Sequence, residues 1–141
     1  MLKFQNMARF SYLLLDFSIY IHIFGYMNIS TQETLVFKAL SEEIRLRILV
    51  LLTEGEICVC DLMHVLNLPQ SSVSRHMAKL KSAFLISDRR DGKWVYYSLN
   101  SQIDSLIPSL TTTLQEFRIR EPFQRDQQQL LIYKQNKNCK Q

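Results

Sequence analysis

Apolar residues recur at helical spacing from Leu35 onward. Leu35, Val36, Ala39 and Leu40 share one face of a first helix, which Ser30 or Thr31 can cap and Glu33 supports in its first turn. Ser41-Glu42-Glu43 restarts the chain. Ile44, Leu46, Ile48, Leu49, Leu51 and Leu52 then predict a second helix, apolar nearly all round as a central core helix is, ending near Gly55. Cys60 or Asp61 opens a short third helix carrying Leu62, Val65 and Leu66, which stops at Asn67-Leu68-Pro69. Pro69-Gln70-Ser71-Ser72 starts a fourth, with Val73, Met77, Leu80 and at the end Phe84 as its apolar stripe. Its other face holds Ser71, Ser72, Ser74, Arg75, His76 and Lys79, short or basic donors of the kind that reach base edges and phosphates in a major groove. A short helix, a tight turn and a second helix of this composition predict a helix-turn-helix with the second helix as reader.

The period then changes. Leu85 to Arg90, Asp91-Gly92 and Lys93 to Leu99 form a predicted β-hairpin, with Asp-Gly as its two-residue turn. Arg89, Arg90 and Lys93 crowd its tip, where a backbone phosphate could be gripped, so the hairpin reads as a wing; Trp94 and Tyr96 are expected to pack on the sheet. Ile103, Leu106, Ile107, Leu110, Leu114 and Phe117 describe a last helix with a narrow apolar stripe, in which Pro108 sits in the first turn or makes a kink. Such a helix on so small a domain pairs with its own copy, so a two-fold dimer is expected. The end from Arg118 reads as helical in part and frayed beyond about Tyr133. The expected class is mainly α with a small β-hairpin, a dimeric winged helix-turn-helix in the order α-α-α-α-β-β-α, over residues 27–117, with residues 118–141 as a charged helix end and tail.

At 141 residues, with 47% apolar and 21% charged, the chain has the composition of one globular domain and not of a disordered or collagen-like one. Charge is local. Residues 70–93 hold six basic against two acidic residues, net +4, and residues 118–141 repeat those numbers, whereas residues 27–69 are net −3. A basic block beside an acidic one suits a local contact with a polyanion, and a solvated helix face gives the same count. Residues 1–26 differ from the rest: aromatic, apolar, with only Lys3, Arg9 and Asp16 charged and no clear period. They are expected to be an upstream extension ahead of a start at Met27, or disordered; Asp16 and His22 argue against a membrane span. Three cysteines cannot build a disulfide framework, and no cleavable signal precedes a polar mature region, so a reducing cytoplasm is expected. Three glycines supply no phosphate-cradling loop, and no nucleophile, base and oxyanion donors assemble into a catalytic set.

Glu56-Ile57-Cys58-Val59-Cys60-Asp61-Leu62 carries the candidate chemistry. Within a helix, residues i and i+2 point about 200° apart, so two thiols at that spacing share an ion only when the first lies outside the helix. The predicted boundary falls between them. An extended Cys58 and a helix-starting Cys60 can converge, and the partial positive charge of the helix N-terminus favours thiolate over thiol. Two small buried apolar residues would read the same way.

Residues 31–117 resemble the ArsR/SmtB family of metalloregulatory repressors: ICVCDL is similar to the thiol motif of its arsenic-responsive members, and LPQSSVSRHMAKLKSA and RRDGKWVYYSL resemble its recognition helix and wing, in that order. The resemblance implies a homodimer, paired through helices at about 31–40 and 102–117, on double-stranded operator DNA of inverted symmetry. It implies repression of a resistance operon and release when As(III) or Sb(III) binds Cys58 and Cys60, with no organic cofactor. It adds Gln70 to Ser71, Ser72, Ser74, Arg75 and His76 as DNA-facing residues. Some relatives place a third cysteine where this chain has Met63, so the third arsenic ligand is Cys139, a small cellular thiol or a hydroxide. His64, four residues after Cys60, has ligand spacing but reads as a surface or packing histidine. Residues 1–57 lack the cysteines of cadmium or lead sensors of the family, and residues 101–117, with Asp104 and Glu116, lack the histidine of its zinc and nickel sensors. Phe84 stands where the family generally has glycine; left-handed geometry there would cost about 1 kcal/mol. A redox- or persulfide-sensing repressor using the same thiols is the alternative. A thiol oxidoreductase lacks its βαβ scaffold here.

Overall fold

The computed structural model describes residues 32–138, so the extension at 1–26, the cap at Ser30 or Thr31, and Cys139 lie outside the described residues. The elements are α1 (Gln32–Leu40), α2 (Glu43–Leu52), β1 (Ile57–Cys58), α3 (Val59–Leu66), α4 (Gln70–Ser82), β2 (Ile86–Asp91), β3 (Trp94–Leu99), α5 (Ile103–Leu106), α6 (Leu110–Phe117) and α7 (Phe123–Asn138). This is a winged helix-turn-helix: helices around a small antiparallel sheet of order β1-β3-β2.

Helix α2 is the centre of the core. Ile48, Leu49, Val50, Leu51 and Leu52 are each at most 2% exposed, which is why the second half of this helix is apolar on every side. Burial of one such side chain stabilises by about 1.5–3 kcal/mol. The helix begins where Glu42, extended, accepts from the backbone N–H of Ile44 (3.2 Å) and Arg45 (3.3 Å). Buried Arg45 turns back on α1, donating through Nε to Ala39 O at 2.6 Å and through Nη2 to Lys38 O at 2.8 Å, and so satisfies carbonyls that α1 leaves open.

The turn between α3 and α4 rests on Asn67, held left-handed at φ 51° and ψ 48°, with Leu68 N–H donating to Met63 O at 3.1 Å. Asparagine tolerates that conformation, and Pro69, extended, then starts α4. At the other end of α4 the chain closes in a Schellman motif: Phe84 N–H donates to Lys81 O (3.0 Å) and Leu85 N–H to Leu80 O (3.1 Å), while Phe84 takes φ 57°. Phe84 therefore does not close the apolar stripe of α4: it lies past the helix end, left-handed and 58% exposed, at the position where the family generally has glycine.

Four features of the backbone differ from the sequence expectation. First, Asp91 pairs with Trp94, so the hairpin turn is Gly92-Lys93 and not Asp91-Gly92. Gly92 has φ 57° and Lys93 has no positive φ, as a type II′ turn requires. Second, Ile57 and Cys58 form a strand on the free edge of β3, pairing with Tyr97 and Tyr96. Third, Pro108 ends a helix instead of kinking one: Ile107 is extended (φ −135°, ψ 111°), as a residue before proline prefers, and Ser109 is left-handed. Asp104 bridges the break by accepting from Thr111 N–H at 2.9 Å. Fourth, the chain beyond Arg118 does not fray at Tyr133; α7 runs to Asn138 and packs on α2 and α3 with Leu130 4% exposed. Its anchor is polar. Asp126, 1% exposed, accepts from both Nε and Nη2 of Arg47 at 2.7 Å, and that bond raises the Arg47 pKa. Gln127 Nε2 donates to Val50 O at 3.2 Å.

Candidate nucleic-acid interface and thiol site

Val73, Met77 and Leu80, each at most 2% exposed, turn one side of α4 into the core. The opposite side therefore faces outward: Gln70, Ser71, Ser74, Arg75 and Lys79 are exposed, with Ser72 and His76 half-buried at its margin. His76 is engaged from below, its Nδ1 lying 3.2 Å from Oε2 of Glu42 at the start of α2. Lys81, on the last turn of α4, pairs with Asp88 of β2 and ties the helix to the wing.

On the wing, Arg89, Arg90 and Lys93 are all exposed. Arg89 is already occupied, donating to both carboxylate oxygens of Glu56 at 2.9 and 2.5 Å. That hydrogen bond holds the Glu56 carboxyl below its usual range and pushes Arg89 further up. Lys93 Nζ lies 5.2 Å from the centroid of the Trp94 ring. Trp94 does not pack into the sheet as expected; it is 40% exposed, because the Gly92-Lys93 turn puts it at the wing's tip. Tyr96 is half-buried, beneath the Arg89 guanidinium. Burial pushes the Tyr97 hydroxyl pKa up.

The two thiols fall on either side of the strand-to-helix boundary. Cys58 is extended (φ −72°, ψ 147°), occupies the N-cap position of α3 without a side-chain capping bond and is 2% exposed; Cys60, in the first turn of α3, is partly exposed, and neither is in a disulfide. Cys60, Met63 and His64 line an open groove between α3 and α7, facing Gln129, Ile132 and Tyr133. His64 stacks on Tyr133 with centroids 4.0 Å apart, the packing role expected of it. Among the described residues no three His, Cys, Asp or Glu side chains gather as a metal site. Glu56 and the Arg47–Asp126 pair were not singled out in the sequence. Their partners lie 33 and 79 residues away, and no local periodicity reports such a separation.

Residues 42–88 match the family described as "Bacterial regulatory protein, arsR family". The chain is 40% identical over 87 residues to the arsenic resistance transcriptional regulator ArsR1 of Pseudomonas putida, covering 61% of this chain and 68% of that protein. Over 69 residues it is 49% identical to the arsenical resistance operon repressor of Escherichia coli, covering 48% of this chain and 59% of that one. Among solved structures it resembles the homodimeric winged helix-turn-helix DNA-binding domain of a possible ArsR-family regulator from Mycobacterium bovis, with TM-score 0.54 and 26% identity over 67% of this chain and 87% of that one.

Proposed function

The chain belongs to the arsR family of bacterial regulatory proteins, and on that premise we propose that it is a DNA-binding repressor of an arsenic-resistance operon, released from its operator by As(III) or Sb(III) bound at Cys58 and Cys60. The observation that carries this reading is the split environment of the thiol pair: an extended, buried Cys58 and a partly exposed Cys60 in the first turn of the helix that precedes α4. Helix α4 enters the major groove with Gln70, Ser71, Ser72, Ser74, Arg75, His76 and Lys79 facing DNA, and Arg89, Arg90 and Lys93 reach the flanking backbone. Two copies bind an operator of inverted symmetry, paired through α1, whose Leu35 and Phe37 are exposed, and through the segment containing α5 and α6. Residues 27–117 form this working unit in the cytoplasm, and α7 of the 118–141 segment packs against it.

A ligand shifts a two-state equilibrium only by its differential affinity. The soft ion gains its second thiolate by drawing Cys58 from its buried place, which takes β1 from β3 and loosens the start of α3. Since α3 packs on α4, the reader moves with it. A coupling of about 2–3 kcal/mol lowers operator affinity roughly 30- to 150-fold. The third ligand is Cys139, which lies outside the described residues, a small thiol or a hydroxide.

The test uses Cys58→Ser and Cys60→Ser on the DNA upstream of the protein's own gene, under full reduction. Both variants are expected to bind as the unaltered chain does and to ignore arsenite. Release by arsenite in the double variant refutes the site, and release by an oxidant alone, without arsenite, assigns the same thiols to redox sensing.

A further inference from the structure

Glu56 stands two residues before Cys58 and reaches across to the wing. Its carboxylate takes two hydrogen bonds from Arg89, at 2.9 and 2.5 Å, and the other Nη of Arg89 lies 3.6 Å from Asp91. The Arg89 guanidinium lies 4.8 Å from the centroid of the Tyr96 ring. Tyr96 is the residue of β3 that pairs with Arg89 of β2 on one side and with Cys58 of β1 on the other. Thiol, ring and guanidinium thus form one cross-strand row, and Glu56 joins its two ends. One guanidinium among two carboxylates leaves the group net negative. A DNA phosphate approaching it meets repulsion and a fork of donors already committed.

We propose that Glu56 competes with DNA phosphate for Arg89, so that the segment carrying the thiols restrains the wing's grip. The inference rests on the reading of α4 and the wing as the DNA-binding face. Carboxylate and phosphate use the same planar set of guanidinium donors, so one occupant displaces the other. Both side chains are exposed, which makes the exchange easy and the effect a modulation. Glu56 is a positioning residue acting through Arg89. A ligand that takes β1 from β3 also draws this carboxylate off Arg89, so the restraint belongs to the ligand-free chain and its loss opposes part of the release transmitted through α3.

The experiment compares Glu56→Gln, Arg89→Ala and the double variant on a random 30-base-pair duplex at low salt by fluorescence anisotropy, because phosphate contacts do not depend on sequence. Glu56→Gln is expected to bind about two- to fivefold more tightly, the range an exposed ion pair spans. Arg89→Ala weakens binding, and the double variant matches Arg89→Ala. A Glu56→Gln chain that binds no more tightly than the unaltered one overturns the proposal. So does a gain that survives in the Arg89→Ala background, which marks diffuse removal of charge. A chain that binds no duplex at any salt sinks the DNA-binding reading together with this inference. Loss of the arsenite response alone leaves the comparison standing.

Discussion

Phe84 offers a measurement in which the backbone alone sets the sign. It occupies the position after the α4 cap at φ 57°, its N–H donates to Lys81 O at 3.0 Å, and its carbonyl accepts from Asn100 Nδ2 at 2.9 Å, so the conformation is held from both sides. An L-residue with a Cβ loses about 1–2 kcal/mol in this region, and glycine does not. Against that gain, glycine has the more disordered unfolded chain, which costs about 0.4–1 kcal/mol. The ring is 58% exposed, so any substitution also loses some contact. Comparing Phe84→Gly with Phe84→Ala removes that contribution, because both lack the ring. The glycine variant is expected to be the more stable by about 0.5–1 kcal/mol, where at an ordinary helical position it would be the less stable by a similar amount. With a urea m-value of about 2 kcal/mol/M, the midpoint rises by about 0.3–0.5 M. Urea unfolding followed by circular dichroism at one fixed protein concentration reads this directly, since self-association makes midpoints concentration-dependent. An alanine variant as stable as the glycine variant, or more so, refutes the assignment of a left-handed residue at this cap.

Two further outcomes follow from the packing and from the exposed face of α4. Asp126→Ala leaves the Arg47 guanidinium, 14% exposed, without its two hydrogen bonds and with only Glu43, 3.9 Å away, as a carboxylate neighbour, and should cost about 2–3 kcal/mol in urea unfolding, with Arg47→Met/Asp126→Leu recovering most of the loss; a loss under about 1 kcal/mol would mean that α7 is not anchored through this pair. Arg75→Ala should weaken operator binding by about 1–3 kcal/mol and relax the preference at one base pair, whereas Lys79→Ala should weaken all duplexes alike and reduce the salt slope by about 1; equal loss on operator and random DNA for Arg75→Ala would make it a phosphate contact.

Much of this molecule was legible in the order of its residues, because helical and strand periods are local. The apolar positions from Ile44 to Leu52, too long a span for an ordinary strand and apolar nearly all round, marked the central core helix, and Val73, Met77 and Leu80 oriented α4 by their spacing. The thiol pair astride a helix start was equally readable, since a cap depends on a few adjacent residues, whereas spacing alone placed Phe84 in the apolar stripe of α4 and only the fold put it past the helix end, left-handed and exposed. Tertiary structure decided what depended on distant partners. The free edge of β3 recruited Ile57 and Cys58 as a third strand, and the pairing of Asp91 with Trp94 moved the turn by one residue and put Trp94 at the tip. The docking of α7 through Asp126 on Arg47, and the hold of Glu56 on Arg89, required the chain to bring together charges 79 and 33 residues apart. Many oppositely charged residues of the chain could have made such a bond. Which one did was set by the packing that aligned it, and that is a property of the folded chain.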